Sequence, residues 1–220
     1  MVFAFRLKTY TQEDVPTTSE AAKAALELAD DIKKSWSKGK LHKFAEADVQ
    51  TYNKRIDGDF WMSRISRHKD IDYDTFRKWI FENHTENEVK YIPLLDSFKL
   101  LEDPVEGHPE WRSILVHYKF PRFFDDREMT VWIAAIEPDA EKKQFVVVSL
   151  PSDRDISPGV TEAVYCSVEV VTQTEDGVEW LMAQASDAKG NIPRWIQDRS
   201  VTASVVEDVP SFIKWAREQK

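Results

Sequence analysis

The sequence predicts an α+β domain in which a long antiparallel sheet grips one terminal helix. Three observations predict it. Residues 97–186 form a succession of apolar or alternating runs, separated by Pro, Gly and Asp turns, with no crossover helix between them. The last two runs, 161–174 and 178–186, flank Glu175-Asp176-Gly177, a turn of the Asp-Gly kind. Residues 186–193 then close the sheet and open a helix that runs almost to the last residue. A sheet and helix held apart by bulky side chains leave space between them, so the pattern points to a binding cavity rather than a catalytic constellation.

Taken in chain order, residues 19–38 carry Ala22, Ala25, Leu26, Leu28, Ala29, Ile32 and Trp36 at helical spacing, and Gly39 reads as the stop. Two strands follow, 49–55 and 60–67, joined at Asp57-Gly58-Asp59; Trp61, Ser63 and Ile65 share one face, Phe60, Met62 and Arg64 the other. Residues 73–91 read as a second helix, capped by Asp72 or Asp74 and ended ahead of Pro93. Strands are expected at 97–101, 113–120, 128–137 and 144–150, then the final pair. In the last helix Asn191 reads as N-cap with Pro193 in the first turn, and Asp208 re-caps a second segment after a bend at Pro210. No linker, repeat or low-complexity tract divides the chain, so one domain spans 1–220.

Composition narrows the function classes. A net charge of −9 with no basic run argues against nucleic acid and against polybasic membrane anchoring. The single Cys166 excludes an internal disulfide and suits a reducing, cytoplasmic location. Residues 1–8 lack the apolar core of a signal peptide, and no window reaches spanning length. With only six glycines, a phosphate cradle is not expected, and no nucleophile elbow or zinc spacing is present. His42, His68, His84, His108 and His117 are scattered, so neither a metal nor another cofactor is expected. The acidic pairs Asp30-Asp31 and Asp125-Asp126 read as a helix's polar face and a turn.

Four stretches carry a family resemblance. Residues 125–131 are similar to the Pro/Asn-Arg-Asp-Phe strand opening of the START lipid-binding domains, with Glu128-Met129 replacing Asp-Phe. Residues 146–160 resemble that family's strand and Ω-loop, and 178–183 its penultimate strand. The most specific stretch, 187–196, resembles the Asp-x-x-Gly-x-x-Pro entry to the last helix. Motifs cover the C-terminal half, element order the N-terminal half, and START-like domains of fungi look most similar. One departure is the absence of the family's frequent Arg after the Ω-loop, at 163–166. The resemblance implies a helix-grip fold, a curved antiparallel sheet wrapped around a long C-terminal helix, with additional N-terminal and middle helices. It implies a sterol or phospholipid as partner, carried in an internal cavity.

Candidate ligand-binding residues follow from bulk and position. Trp61, Trp132 and Trp180 lie mid-strand and either fill the core or face the cavity. Tyr118 and Met182 sit on neighbouring strands, while Trp195, Ile196 and Arg199 are carried by the last helix. Arg127 is the expected buried charge, held by a ligand oxygen or by Asp126 or Glu128. The loop 151–161, with Ile156 and Val160, is the expected lid and the point of transient membrane contact. Two other readings remain: a helix-grip enzyme of the polyketide cyclase or hydrolase kind using Tyr118, Arg127 or Glu128, and a module whose groove takes a partner's peptide.

Overall fold

The computed structural model describes residues 3–120, 125–190 and 192–219; the Asn191 cap and the side chain of Trp195 lie outside the described residues. Helix α1 (Thr18–Ser35) begins at a capping box, with the Glu20 N–H donating to Thr17 and the Thr17 N–H to the Glu20 carboxylate. Its buried face is built from Ala21, Ala22, Ala24, Ala25, Ala29 and Ile32, small side chains that let the helix lie close on the sheet. Trp36, already extended, ends the helix and donates its indole N–H to Asp31 at 2.9 Å.

Gly39 is therefore not the helix stop. It lies in an unanticipated strand, β1 (Ser37–Lys43), beside a bulge in the pairing with β2 (Asp48–Ile56). A Cβ there would sit 2.5 Å from the Thr51 hydroxyl, so only glycine permits this approach. Strand β3 (Asp59–His68) follows through Asp57 and Gly58, both at positive φ, the requirement of a two-residue hairpin turn.

The single helix expected over 73–91 is two. Helix α2 (Tyr73–Phe76), capped by Asp72, widens into a π-turn (Arg77–Phe81); Asn83 at φ 51° then breaks the axis before α3 (His84–Tyr91). Asparagine tolerates the left-handed conformation. The carbonyls freed by the break are recovered: Asn87 donates to Trp79 O and Glu82 O, and His84 Nδ1 donates to Ile80 O at 2.7 Å.

The remaining strands are β4 (Leu95–Glu102), β5 (Arg112–Tyr118), β6 (Arg127–Ile136), β7 (Gln144–Pro151), the two-residue β8 (Thr161–Glu162), β9 (Val164–Thr174) and β10 (Gly177–Asp187). The sheet order is β1-β2-β3-β10-β9-β7-β6-β5-β4, antiparallel throughout; β8 adds a short parallel pair to β6. Helix α4 (Arg194–Glu218) completes the described chain. It is helical without interruption through Pro210, so Asp208 does not re-cap a second segment as expected. Interior proline costs about 3 kcal/mol, but the turn beyond it carries Phe212, Ile213 and Ala216, all essentially fully buried. Burial of those side chains at ~1.5–3 kcal/mol each outweighs that cost.

Two apolar layers cover the two sheet faces. One packs α2, α3 and α4 against Met62, Val131, Phe145, Val171, Trp180 and Met182. The other packs α1 and the N-terminal segment against Trp61, Ile65, Trp132, Val148, Val168 and Leu181. Most central strands are consequently buried on both sides, and their sequences read as continuous apolar runs. Among the described residues, no helix is long and apolar enough to cross a membrane.

Candidate functional site

A cavity of about 320 Å³ lies between α4 and the first of these faces. Its apolar wall includes Ile92, Leu94, Met129, Ala163, Trp180, Met182, Ile196, Val201 and Val205. Its inner end is polar. Arg64 of β3, Glu88 of α3, Glu169 of β9 and Asp208 of α4 all face it, together with Tyr91, Tyr118 and Tyr165.

Strand register explains the convergence. Met182 of β10 pairs with Arg64 on one side and Glu169 on the other, so three strands present these side chains in one row on one face. The Arg64 guanidinium lies 3.8 Å from the centre of the Trp180 ring, stacked on its face. The Trp180 indole N–H donates to Glu169 at 2.6 Å. The other Glu169 oxygen lies 3.6 Å from His84 Nε2, and that nitrogen lies 3.3 Å from Glu88. Arg64 is 1% exposed, yet its Nε and Nη1 have no hydrogen-bond partner among the described residues. Burial lowers its pKa, against the pull of Glu169 and Asp208.

The carboxyls shift in the opposite direction. Burial pushes Glu169 up, although His84 and Arg64 oppose it. Burial is also the main cause raising Asp208 to about 7; Glu88, Glu169 and Glu207 add repulsion while Arg64 opposes them. The sign of the resulting pH dependence follows from linkage. A carboxyl whose pKa is higher folded than unfolded holds its proton in the native state over roughly pH 4–7. Stability therefore falls as pH rises through that window and levels off above it. Asp208→Asn removes this slope. The variant should melt at a higher temperature than the parent at pH 8 and converge with it near pH 4; midpoints that shift in parallel would rule the assignment out.

Of the residues singled out in the sequence, Tyr118, Trp180, Met182 and Ile196 line this cavity together. Trp61 and Trp132 do not. Both lie in the opposite layer against α1 and the N-terminal segment, where Trp132 donates its indole N–H to Tyr10 O at 2.9 Å. Arg199 is on an exposed position of α4. Arg127 is buried, but among the described residues its partners are backbone carbonyls and not the Asp126 or Glu128 carboxylate. Its Nε donates to Ala188 O at 2.7 Å and its Nη1 to Asp125 O at 2.5 Å, which fastens the segment leading into α4. Gln197 assists from α4, accepting from the Ala188 N–H and donating to Ile192 O.

The loop expected as a lid is also anchored. The Ser157 N–H donates to the Glu128 carboxylate at 2.7 Å, and Thr130 donates to Arg154 O. Ile156 and Val160 are half-buried, and residues 152–160 do not contribute to the cavity wall. Phe120, Val164 and residues 186–188 contribute instead. Sequence reasoning passed over Arg64, His84, Glu88, Glu169 and Asp208. A signal existed for two of them: Glu169 is the lone charge in Val164–Val171, and Arg64 interrupts an otherwise uncharged 60–66.

An open antiparallel sheet closed over a long C-terminal helix, with a cavity between them, is the START-like helix-grip fold. Solved structures agree in fold. Human STARD10 superposes with a TM-score of 0.73 at 10% identity, covering 93% of this chain and 81% of that one. Human StAR-related lipid transfer protein 5 gives 0.74 at 9% identity, covering 91% and 95%. A STAR-related lipid transfer protein of Xanthomonas axonopodis gives 0.66 at 15% identity, covering 84% and 99%. The chain itself belongs to the family described as "Protein of unknown function (DUF3074)", which it matches over residues 61–216. It is similar to an uncharacterized protein of Schizosaccharomyces pombe, 29% identical over 170 residues, covering 72% of this chain and 68% of the relative.

Proposed function

We propose that this protein binds an amphipathic small molecule of the sterol or phospholipid class in the α4 cavity and carries it between membranes through the cytoplasm, the whole of 1–220 acting as one unit. The observation that carries the reading is Arg64. A buried guanidinium with unpartnered N–H groups is costly unless an oxygen from outside the protein satisfies it. The apolar wall then takes the ligand's body at ~25 cal/mol per Å² buried. Its volume is at the lower end of the range usual for small-molecule sites, about 300–1,000 Å³. Two of the structural neighbours, a STAR-related lipid transfer protein and StAR-related lipid transfer protein 5, support the same class of ligand. Of the sequence candidates, Tyr118, Trp180, Met182 and Ile196 would contact the guest. Entry requires the α4 N-terminal turns to part from Phe120 and Val164, with the 151–161 loop as a secondary membrane contact.

The test is titration of delipidated protein with fluorescent sterols and fluorescent phospholipids. Saturable binding of one class, displaced by its unlabelled form, is expected. Absence of saturable binding by either class would sink the carrier reading. One observation favours a second reading, an enzyme on the same scaffold: Glu88, Glu169, Asp208, Arg64 and Tyr118 face one end of the cavity. Chemical conversion of a bound guest during that titration, followed by mass spectrometry, would replace the first reading with the second.

A further inference from the structure

We propose that His84, Glu88 and Glu169 form a binding site for one divalent transition-metal ion of the zinc type, with its open coordination position turned toward the cavity. The donors are one imidazole nitrogen and two carboxylate oxygens, all within 4.8 Å of one another, and among the described residues they are the group that meets this condition. Imidazole and carboxylate together suit zinc, iron or manganese rather than a soft monovalent metal.

The histidine tautomer is fixed by its neighbour. A carbonyl can only accept, so Ile80 O at 2.7 Å requires the proton on Nδ1. Nε2 therefore turns toward two carboxylate oxygens, and a neutral ring would aim its lone pair at them. A cation belongs between the three atoms: either a proton or a metal. Distance separates the two. A proton shared in charge-assisted hydrogen bonds draws nitrogen and oxygen to about 2.7–2.9 Å. The observed separations are 3.3 Å to Glu88 and 3.6 Å to Glu169. A tetrahedron with metal–ligand bonds of ~2.0–2.2 Å has edges of about 3.3–3.6 Å, which the two nitrogen–oxygen separations match, and the three donors lie within 4.8 Å of one another.

The supporting contacts are those of a metal site. Nδ1–H on a backbone carbonyl orients the ring, and the Trp180 indole N–H holds the second Glu169 oxygen, leaving the first free. His84 and Glu88 are four residues apart on α3, on one face of the helix. A second observation points to an occupant. The unpartnered Arg64 guanidinium, 1% exposed, stacks on the same Trp180 and faces the same space. A water or ligand oxygen in the fourth position would accept from it. Charge also balances: Glu88 and Glu169 match a divalent ion, leaving Asp208 opposite Arg64.

The experiment is chelation of the full chain, followed by titration with Zn²⁺ by calorimetry and with Co²⁺ by visible absorption, without lipid. One ion per chain and the d–d bands of four-coordinate cobalt are expected. Glu88→Gln and Glu169→Gln should each weaken zinc by more than the roughly 10–100-fold typical of losing a supporting contact. Trp180→Phe should weaken it within that range. Circular dichroism establishes that each variant is folded, and Glu88, the most exposed of the three ligands at 19%, keeps the test decisive if another variant does not fold. No uptake by the folded parent, or uptake unchanged in Glu88→Gln, would overturn the site and show a histidine–carboxylate ion pair only. Because no lipid is present, either outcome leaves the carrier reading to its own titration.

Discussion

Arg64→Met should separate ligand capture from stability. Charge-assisted hydrogen bonds to a ligand oxygen contribute about 1.5–3 kcal/mol, so the variant is expected to bind the guest roughly 10–100-fold more weakly. The fold should not suffer. Arg64 Nε and Nη1 have no hydrogen-bond partner among the described residues to leave behind, and Glu169 keeps Trp180 and His84. Glu169 and Asp208, already pushed toward their neutral forms by burial, take up a proton when the cation is lost, so the cost stays below the ~3–5 kcal/mol of a broken buried pair. Fluorescent-lipid titration and thermal melting, made on the same sample, read the two effects. A loss of ~3–5 kcal/mol in stability with unchanged affinity would show that Arg64 is a counter-ion of the core and not a contact for the guest.

Phe212→Ala carries the largest expected cost to the fold, about 3–5 kcal/mol. Phe212 is fully buried behind the cavity, with ring centres 5.2 Å from Phe76, 5.4 Å from Tyr91 and 5.2 Å from Trp180. It fastens α4 to the sheet and to both middle helices at one point. Urea unfolding should show a lower midpoint with an unchanged slope. A cost below ~1 kcal/mol would mean that α4 is not seated as described.

Element order was legible because its signals are local. Asp57-Gly58, Glu175-Asp176-Gly177 and the 187–193 segment mark their turns by residue type alone. Which face of a strand looks inward was not legible, and the reason is double burial. Trp180 and Leu181 are each 1% exposed, yet they face opposite layers. Hydrophobicity cannot rank two covered faces, so Trp61 and Trp132 were grouped with Trp180 although parity and tertiary partners place them elsewhere. The polar end of the cavity was hidden for a different reason. Its members come from β3, α3, β9 and α4, and only the strand order sets them side by side. Arg127 shows the converse: a buried charge foreseen by position, whose partners are backbone carbonyls that no side-chain pattern announces.

The placement of β10 between β3 and β9 has a consequence for biosynthesis. On the side of β3 away from β2, residues 61–68 pair with residues 178–185. A nascent chain emerging from the ribosome must hold the early three-stranded meander with one bare flank until residues 178–185 have been made. Such late closure makes for slow folding, and a prematurely stopped product would offer that flank to any other extended chain. Synthesis through β10 is thus a condition for covering that flank.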